Sequence, residues 1–178
     1  MILCDKDLRE YINKGWLKIE PLYSDTIQQN GVDLRIGNQI GISRKALEIY
    51  DMRRSEAEDF FEVVEIPPDG MEIEPMSSLL LHTEERISLP PDLMAMCGLR
   101  STIARMGFIA PATYVDAGFS GQLTIEVFWS KPYSVKLYKG VRFLHVIFAK
   151  TSDVVENPYK GSYQGQSGVK LPKTLLGE

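Results

Sequence analysis

Apolar and polar residues alternate in short runs along most of this 178-residue chain, and helical spacing interrupts them in only two places. Near the start, Asp5 stands where an N-cap belongs. Leu8, Tyr11 and Ile12 then share one face of a helix running to about Asn13, and Gly15 supplies the stop signal. The second helical stretch covers residues 101–107, one to two turns, with Ser101 suited to the N-cap and Gly107 to the C-terminal stop. The remaining apolar runs are β-prone and fall at 17–22, 32–36, 60–66, 78–82, 93–99, 122–129, 134–138 and 142–149. Turn signals separate them, among them Pro67-Pro68-Asp69-Gly70, Pro90-Pro91-Asp92 and Lys139-Gly140. Short strands at this spacing predict a mainly β fold, a sandwich, barrel or jelly roll, with a short N-terminal helix and one short interior helix. The length fits a single domain over residues 1–178. Residues 157–178 are rich in Gly, Lys, Ser and Gln, and read as a mobile C-terminal arm. That arm is either a frayed end or, through Tyr159, Lys160, Tyr163 and Gln164, a cover for an anionic ligand.

Composition narrows the class. With 44% hydrophobic and 25% charged residues the chain has the makings of a packed core. No run approaches the roughly 18 apolar residues of a membrane span, and acidic Asp5 and Asp7 stand where a signal peptide would be basic. A cytoplasmic protein with no membrane contact is expected. The net charge of −4 gives no overall footprint for nucleic acid, so a phosphate-rich ligand requires a local basic cluster. Cys4 and Cys97 are far apart and read as free thiols, with neither a disulfide framework nor metal spacing.

Such a basic cluster stands at Arg100-Ser101-Thr102-Ile103-Ala104-Arg105. A helix start offers unpaired backbone N–H groups, Ser101 and Thr102 add hydroxyls, and Arg100 adds a fork of donors suited to phosphate oxygens. Ser101 and Arg105, four apart, share a helix face. A capped surface helix with two solvated arginines fits the same residues. Downstream, Tyr114-Val115-Asp116-Ala117-Gly118 is a turn between strands, either a plain hairpin or an aspartate held beside a ring to grip a sugar or a water. In the following strand Leu123, Ile125 and Val127 point one way, and Gln122, Thr124, Glu126 and Phe128 the other. If that second face is covered, Glu126 is desolvated and suited to proton transfer near neutral pH. If it is open, Glu126 is a solvated strand residue.

Order and spacing together resemble one family. Arg100-Ser101-Thr102-Ile103-Ala104-Arg105-Met106-Gly107 resembles the Arg-Ser-Ser-x-Ala-Arg-x-Gly motif of dCTP deaminases. Val115-Asp116-Ala117-Gly118-Phe119-Ser120-Gly121 resembles their Ile-Asp-(Pro/Ala)-Gly-(Trp/Phe)-x-Gly motif. The opening Met1–Asp7, the segment Asn30-Gly31-Val32-Asp33-Leu34-Arg35-Ile36-Gly37, the strand from Gly140 to Phe148 and the tail from Lys160 to Gln164 are similar to other family segments, the tail to a Lys-Tyr-x-x-Gln pattern. The resemblance implies the distorted β-barrel of the dCTP deaminase/dUTPase superfamily and hydrolysis of dCTP to dUTP and ammonia, towards dUMP and dTTP synthesis. It implies Glu126 as general acid/base, with Ser101 and Arg105 positioning the attacking water. It implies Arg100, Thr102, Lys160 and Gln164 on the triphosphate, whose oxygens carry Mg²⁺. Ala112, Asp116 and Tyr114 would lie around base and deoxyribose. The active sites would form between the subunits of a homotrimer, with dTTP as a candidate feedback inhibitor.

Zinc is not expected, because His82, His145, Cys4 and Cys97 lack the spacing of zinc-dependent deaminases, and His145 reads as a core or interface histidine. Asp116-Ala117-Gly118 is also the form found in bifunctional enzymes and dUTPases. A dUTP diphosphatase, alone or after deamination, is therefore the alternative. A non-catalytic trimeric nucleotide-binding module is the third reading.

Overall fold

The computed structural model describes residues 1–43, 49 and 51–173. Strands β1 (Lys18–Glu20), β2 (Ile27–Gln28), β3 (Gly31–Ser43), β4 (Phe61–Glu65), β5 (Met71–Ile73) and β6 (Ser78–Ser88) make up the first half of the chain. Strands β7 (Leu93–Leu99), β8 (Phe108–Ile109), β9 (Thr113–Val115), β10 (Ser120–Trp129), β11 (Val135–Leu137) and β12 (Arg142–Lys150) follow. Helix α1 spans Asp5–Asn13 and α2 spans Ser101–Met106, with a 3-10 turn at Ala57–Asp59. The main sheet runs β8-β10-β6-β3-β12-β7-β9, with β1 added to β6, and β2 and β4 added to β3. β5 and β11 form a separate pair. The sheet curls into a half-barrel, the form taken here by the expected β-barrel.

The strands close on a core that includes Leu34, Ile40, Ile87, Ile125, Phe143 and Phe148, all at or below 1% exposure. Each side chain of this size contributes about 1.5–3 kcal/mol by leaving water. Alternation in β10 is as expected, with Leu123, Ile125 and Val127 buried and Glu126 exposed. Helix α1 packs Leu8 and Tyr11 inward. Its N-cap is Cys4 rather than Asp5, with the Cys4 backbone N–H and thiol both donating to the Asp7 carboxylate. In α2 the N-cap is Arg100 and Ser101 is the first helical residue, one position from the expected boundary, while Gly107 takes the left-handed C-cap at φ 117°.

Two strands are much longer than the apolar runs that announced them. β3 continues past Ile36 through Gly37-Asn38-Gln39, with an irregular register against β6 between Ile36 and Ile40. Opposite that irregularity the His82 ring lies over Gly37, where any side chain would overlap it. The ring is 1% exposed. Its Nδ1 lies 2.9 Å from the Thr83 carbonyl, and its Nε2 accepts the Gln39 N–H at 3.1 Å. Burial therefore holds the His82 pKa below its ordinary value. β6 continues through the charged run Thr83-Glu84-Glu85-Arg86 because Glu85, fully buried, is bound by Arg35 of β3 through its backbone N–H (2.7 Å) and guanidinium (3.0 Å). Burial raises the Glu85 pKa, and the Arg35 bonds oppose that rise.

Candidate active site

The turn between β9 and β10 sets the site. Asp116 accepts the Phe119 N–H on its carbonyl, and Gly118 adopts φ +86°, which lets the backbone reverse tightly. The absence of a side chain at Gly118 also lets Pro158 pass close by. Tyr159 N–H bonds to the Ala117 carbonyl at 2.9 Å, and the Tyr159 ring packs against Phe119 with centroids 5.8 Å apart.

From there the C-terminal segment lies along the edge of β10 through Lys170. The Gln164 amide accepts the Ser120 N–H and donates to the Gly118 carbonyl. Gly165 N–H donates to Ser120 O, and Gln122 N–H donates to Gln166 O. Gln166 Nε2 donates to Gln122 O, and Lys170 N–H reaches Thr124 Oγ1 at 3.0 Å. Backbone and glutamine amides together satisfy an otherwise unpaired strand edge. Residues 174–178 of the expected arm lie outside the described residues.

Between β9, β10 and this segment opens a cavity of about 400 Å³. Its wall brings together Tyr114, Asp116, Glu126, Tyr159 and Tyr163, five of the residues singled out from sequence. The size suits a nucleotide-class ligand. Glu126 is exposed, so within one chain its face of the strand is the open one. Ser101, Thr102 and Arg105 are exposed on α2 and do not line this cavity. Arg100 is half-buried and anchored, its Nε in an ion pair with Asp33 Oδ2 at 2.7 Å and its Nη1 donating to the Arg142 carbonyl at 3.2 Å. Ala112 and Lys160 are exposed and also outside the cavity wall.

Besides Tyr159 and Tyr163, the tail brings Gln166, Lys170 and Pro172 to the cavity, and not Gln164 or Lys160. Counted from Tyr163, a Tyr-x-x-Gln spacing falls on Gln166, while Ser162 stands before the tyrosine where the pattern has lysine. That count was the available signal for Gln166. Its Oε1 is a buried acceptor without a hydrogen-bond partner among the described residues. Thr124 lines the cavity beside Glu126, on the face that alternation gave it. Nothing in local pattern marks Lys170, which meets the site only because the tail folds along β10.

Comparison with known proteins places this geometry. Residues 2–151 match the family model described as dCTP deaminase-like. The chain belongs to the dCTP deaminase-like family. A relative from Korarchaeum cryptofilum (strain OPF8), named dCTP deaminase, is 52% identical over 175 residues, covering 98% of this chain and 99% of its own. Another, from Sulfolobus islandicus rod-shaped virus 1, is 48% identical over 173 residues, covering 97% of this chain and 99% of its own. It is named "Probable deoxyuridine 5'-triphosphate nucleotidohydrolase". Among solved structures, 2'-deoxycytidine 5'-triphosphate deaminase from Agrobacterium tumefaciens superposes with a TM-score of 0.64 at 22% identity. The match covers 83% of this chain and 47% of that longer one, and it shows the shared fold.

Among the described residues, no three His, Cys, Asp or Glu side chains are grouped to hold a metal ion. Nor is any helix among them long and apolar enough to cross a membrane.

Proposed function

We propose that this chain hydrolyses dCTP to dUTP and ammonia, at sites completed between the subunits of a homotrimer. The observation that carries this reading is the placement of Glu126, an exposed carboxylate in the wall of a nucleotide-sized cavity beside Tyr114 and Asp116. Full-length relatives at about half identity are named dCTP deaminase. In this reading the cytosine lies against Glu126, which takes a proton from water as the oxygen attacks C4. That proton passes to N3, the proton of the new C4 hydroxyl passes to the amine, the C4–N bond breaks as ammonia leaves, and C4 is left as the uracil carbonyl. Ser101 and Arg105 of a neighbouring chain hold the water and the carboxylate, and Arg100 and Thr102 receive the triphosphate. Gln166 Oε1, buried and unpartnered among the described residues, offers an acceptor to the bound nucleotide. Mg²⁺ arrives on the nucleotide, whose phosphate oxygens are its natural ligands.

A second reading, dUTP hydrolysis to dUMP and pyrophosphate, is favoured by the viral relative's name and by Asp116, an exposed carboxylate of the same wall. Incubation with dCTP or dUTP and Mg²⁺, scoring ammonia and pyrophosphate separately, tests both. Ammonia from dCTP without pyrophosphate supports deamination alone, and pyrophosphate from both substrates shows the two activities together. Glu126→Gln is expected to abolish ammonia release while nucleotide binding persists. Deamination by that variant near the wild-type rate would remove Glu126 from the acid/base role.

A further inference from the structure

Arg100 is the last residue before α2, and its guanidinium is held from behind. Asp33 of β3, with a side chain only 5% exposed, forms an ion pair through Oδ2 with Arg100 Nε at 2.7 Å and receives His145 Nδ1 on Oδ1 at 2.9 Å. Arg142 Nη1 stands 3.5 Å from the same carboxylate. Sheet register builds this group: β12 lies between β3 and β7, and His145 sits opposite Asp33 on one side and Gly98 on the other. A side chain at Gly31 would crowd the His145 ring, with a Cβ 2.9 Å from Nε2, so that glycine leaves room for the ring. The Arg100 backbone is fixed too, its N–H donating to Phe143 O at 2.8 Å.

A guanidinium carries five N–H donors in a rigid plane. The Arg142 carbonyl takes one donor from Nη1, and Asp33 pairs with the guanidinium charge at Nε. Both Nη2 donors and the second Nη1 donor have no hydrogen-bond partner among the described residues. An arginine anchored in this way has already lost the rotamer freedom that binding would otherwise cost. A purely structural role would be met as well by an apolar residue at position 33, since buried ion pairs are poor stabilisers.

We infer that Asp33, backed by His145, is the positioning residue that holds the Arg100 guanidinium ready for a phosphate oxygen of the substrate. This rests on the reading of Arg100 as a triphosphate ligand, and the test separates the two. Affinity for dCTP and for deoxycytidine, which lacks phosphates, is measured in full-length wild type, Asp33→Asn, Arg100→Ala and the double variant. Loss of one charge-assisted bond to the anchor predicts about tenfold weaker dCTP binding in Asp33→Asn. Deoxycytidine affinity and melting temperature are expected to hold, and KM to rise more than kcat falls. The same substitution in the Arg100→Ala background is expected to add nothing. An equal loss in both backgrounds, or unchanged dCTP affinity in Asp33→Asn, overturns the positioning role. Unchanged dCTP affinity in Arg100→Ala overturns the phosphate role of Arg100 and this inference with it. If Asp33→Asn does not fold, His145→Ala at its half-exposed position enters the same cycle. A loss there that does not depend on Arg100 overturns the inference equally.

Discussion

Glu126→Gln and Arg105→Ala chains are each expected to be inactive alone, yet to recover activity when assembled into the same oligomers. The expectation follows from where the structure puts the two residues. Glu126 lines the cavity, whereas Arg105 is exposed on α2 and does not. A divided site takes its α2 from one chain and its β10 from another. In an equal, random mixture such a site is intact when the first chain is the Glu126→Gln variant and the second the Arg105→Ala variant. Each condition holds half the time, so about one quarter of the sites work, in a closed ring of any size. The two variants are co-expressed with one common tag, so that purification leaves the random mixture unselected, and are assayed for ammonia release from dCTP. Varying the mixing fraction x adds a second constraint, because recovered activity follows x(1 − x). If mixed oligomers show only the summed background of the two variants, Glu126 and Arg105 act within one chain, and the division of the site is refuted.

Below pH 6.5, the ordinary histidine value, the unfolded chain binds a proton at His82 that the folded chain refuses, because burial holds the folded pKa down. Stability therefore falls as pH drops from 7.5 to 5.5, by up to about 1.4 kcal/mol from this one group. Urea unfolding of wild type against His82→Gln at fixed protein concentration isolates it, since Glu85 and the other carboxylates cancel in the difference. A difference that does not change with pH would refute the assignment. Gly37→Ala places a methyl group inside the His82 ring and is expected to destabilise by about 1–3 kcal/mol through overpacking. A midpoint within error of wild type would show that the ring can move aside.

The local pattern found what local physics controls. Alternation along β10 separated Leu123, Ile125 and Val127 from Glu126, and Gly107 stopped α2 at the expected residue, because both depend on periods of two and on a left-handed cap. It lost β3 and β6 midway, where Gly37-Asn38-Gln39 and Thr83-Glu84-Glu85-Arg86 break the apolar run. Those segments continue as strands because Arg35 reaches Glu85 and Gln39 reaches His82 across the pair, partners some forty to fifty positions apart that no window of sequence contains. The tail escapes local pattern for the same reason. Order along the chain points to Lys160 and Gln164, whereas the cavity wall within one chain takes Gln166 and Lys170 because that segment borrows the edge of β10.

Sequence leaves the burial of Glu126 open for a different reason. In a single chain the carboxylate is exposed, and so are Ser101, Thr102 and Arg105. A polar set of this kind, left open on two separate surfaces, has little use in an isolated chain. Proton transfer needs a carboxylate shielded from bulk water, and a water held by Ser101 and Arg105 must lie within hydrogen-bond reach of it. One chain does not bring α2 to the cavity, so the proposed mechanism takes the missing cover from a second copy. The α2 start on that copy would enter with Arg100 already fixed by Asp33. The anchored arginine and the open carboxylate are thus two halves of one requirement, rigid donors arriving from one side and a prepared pocket waiting on the other.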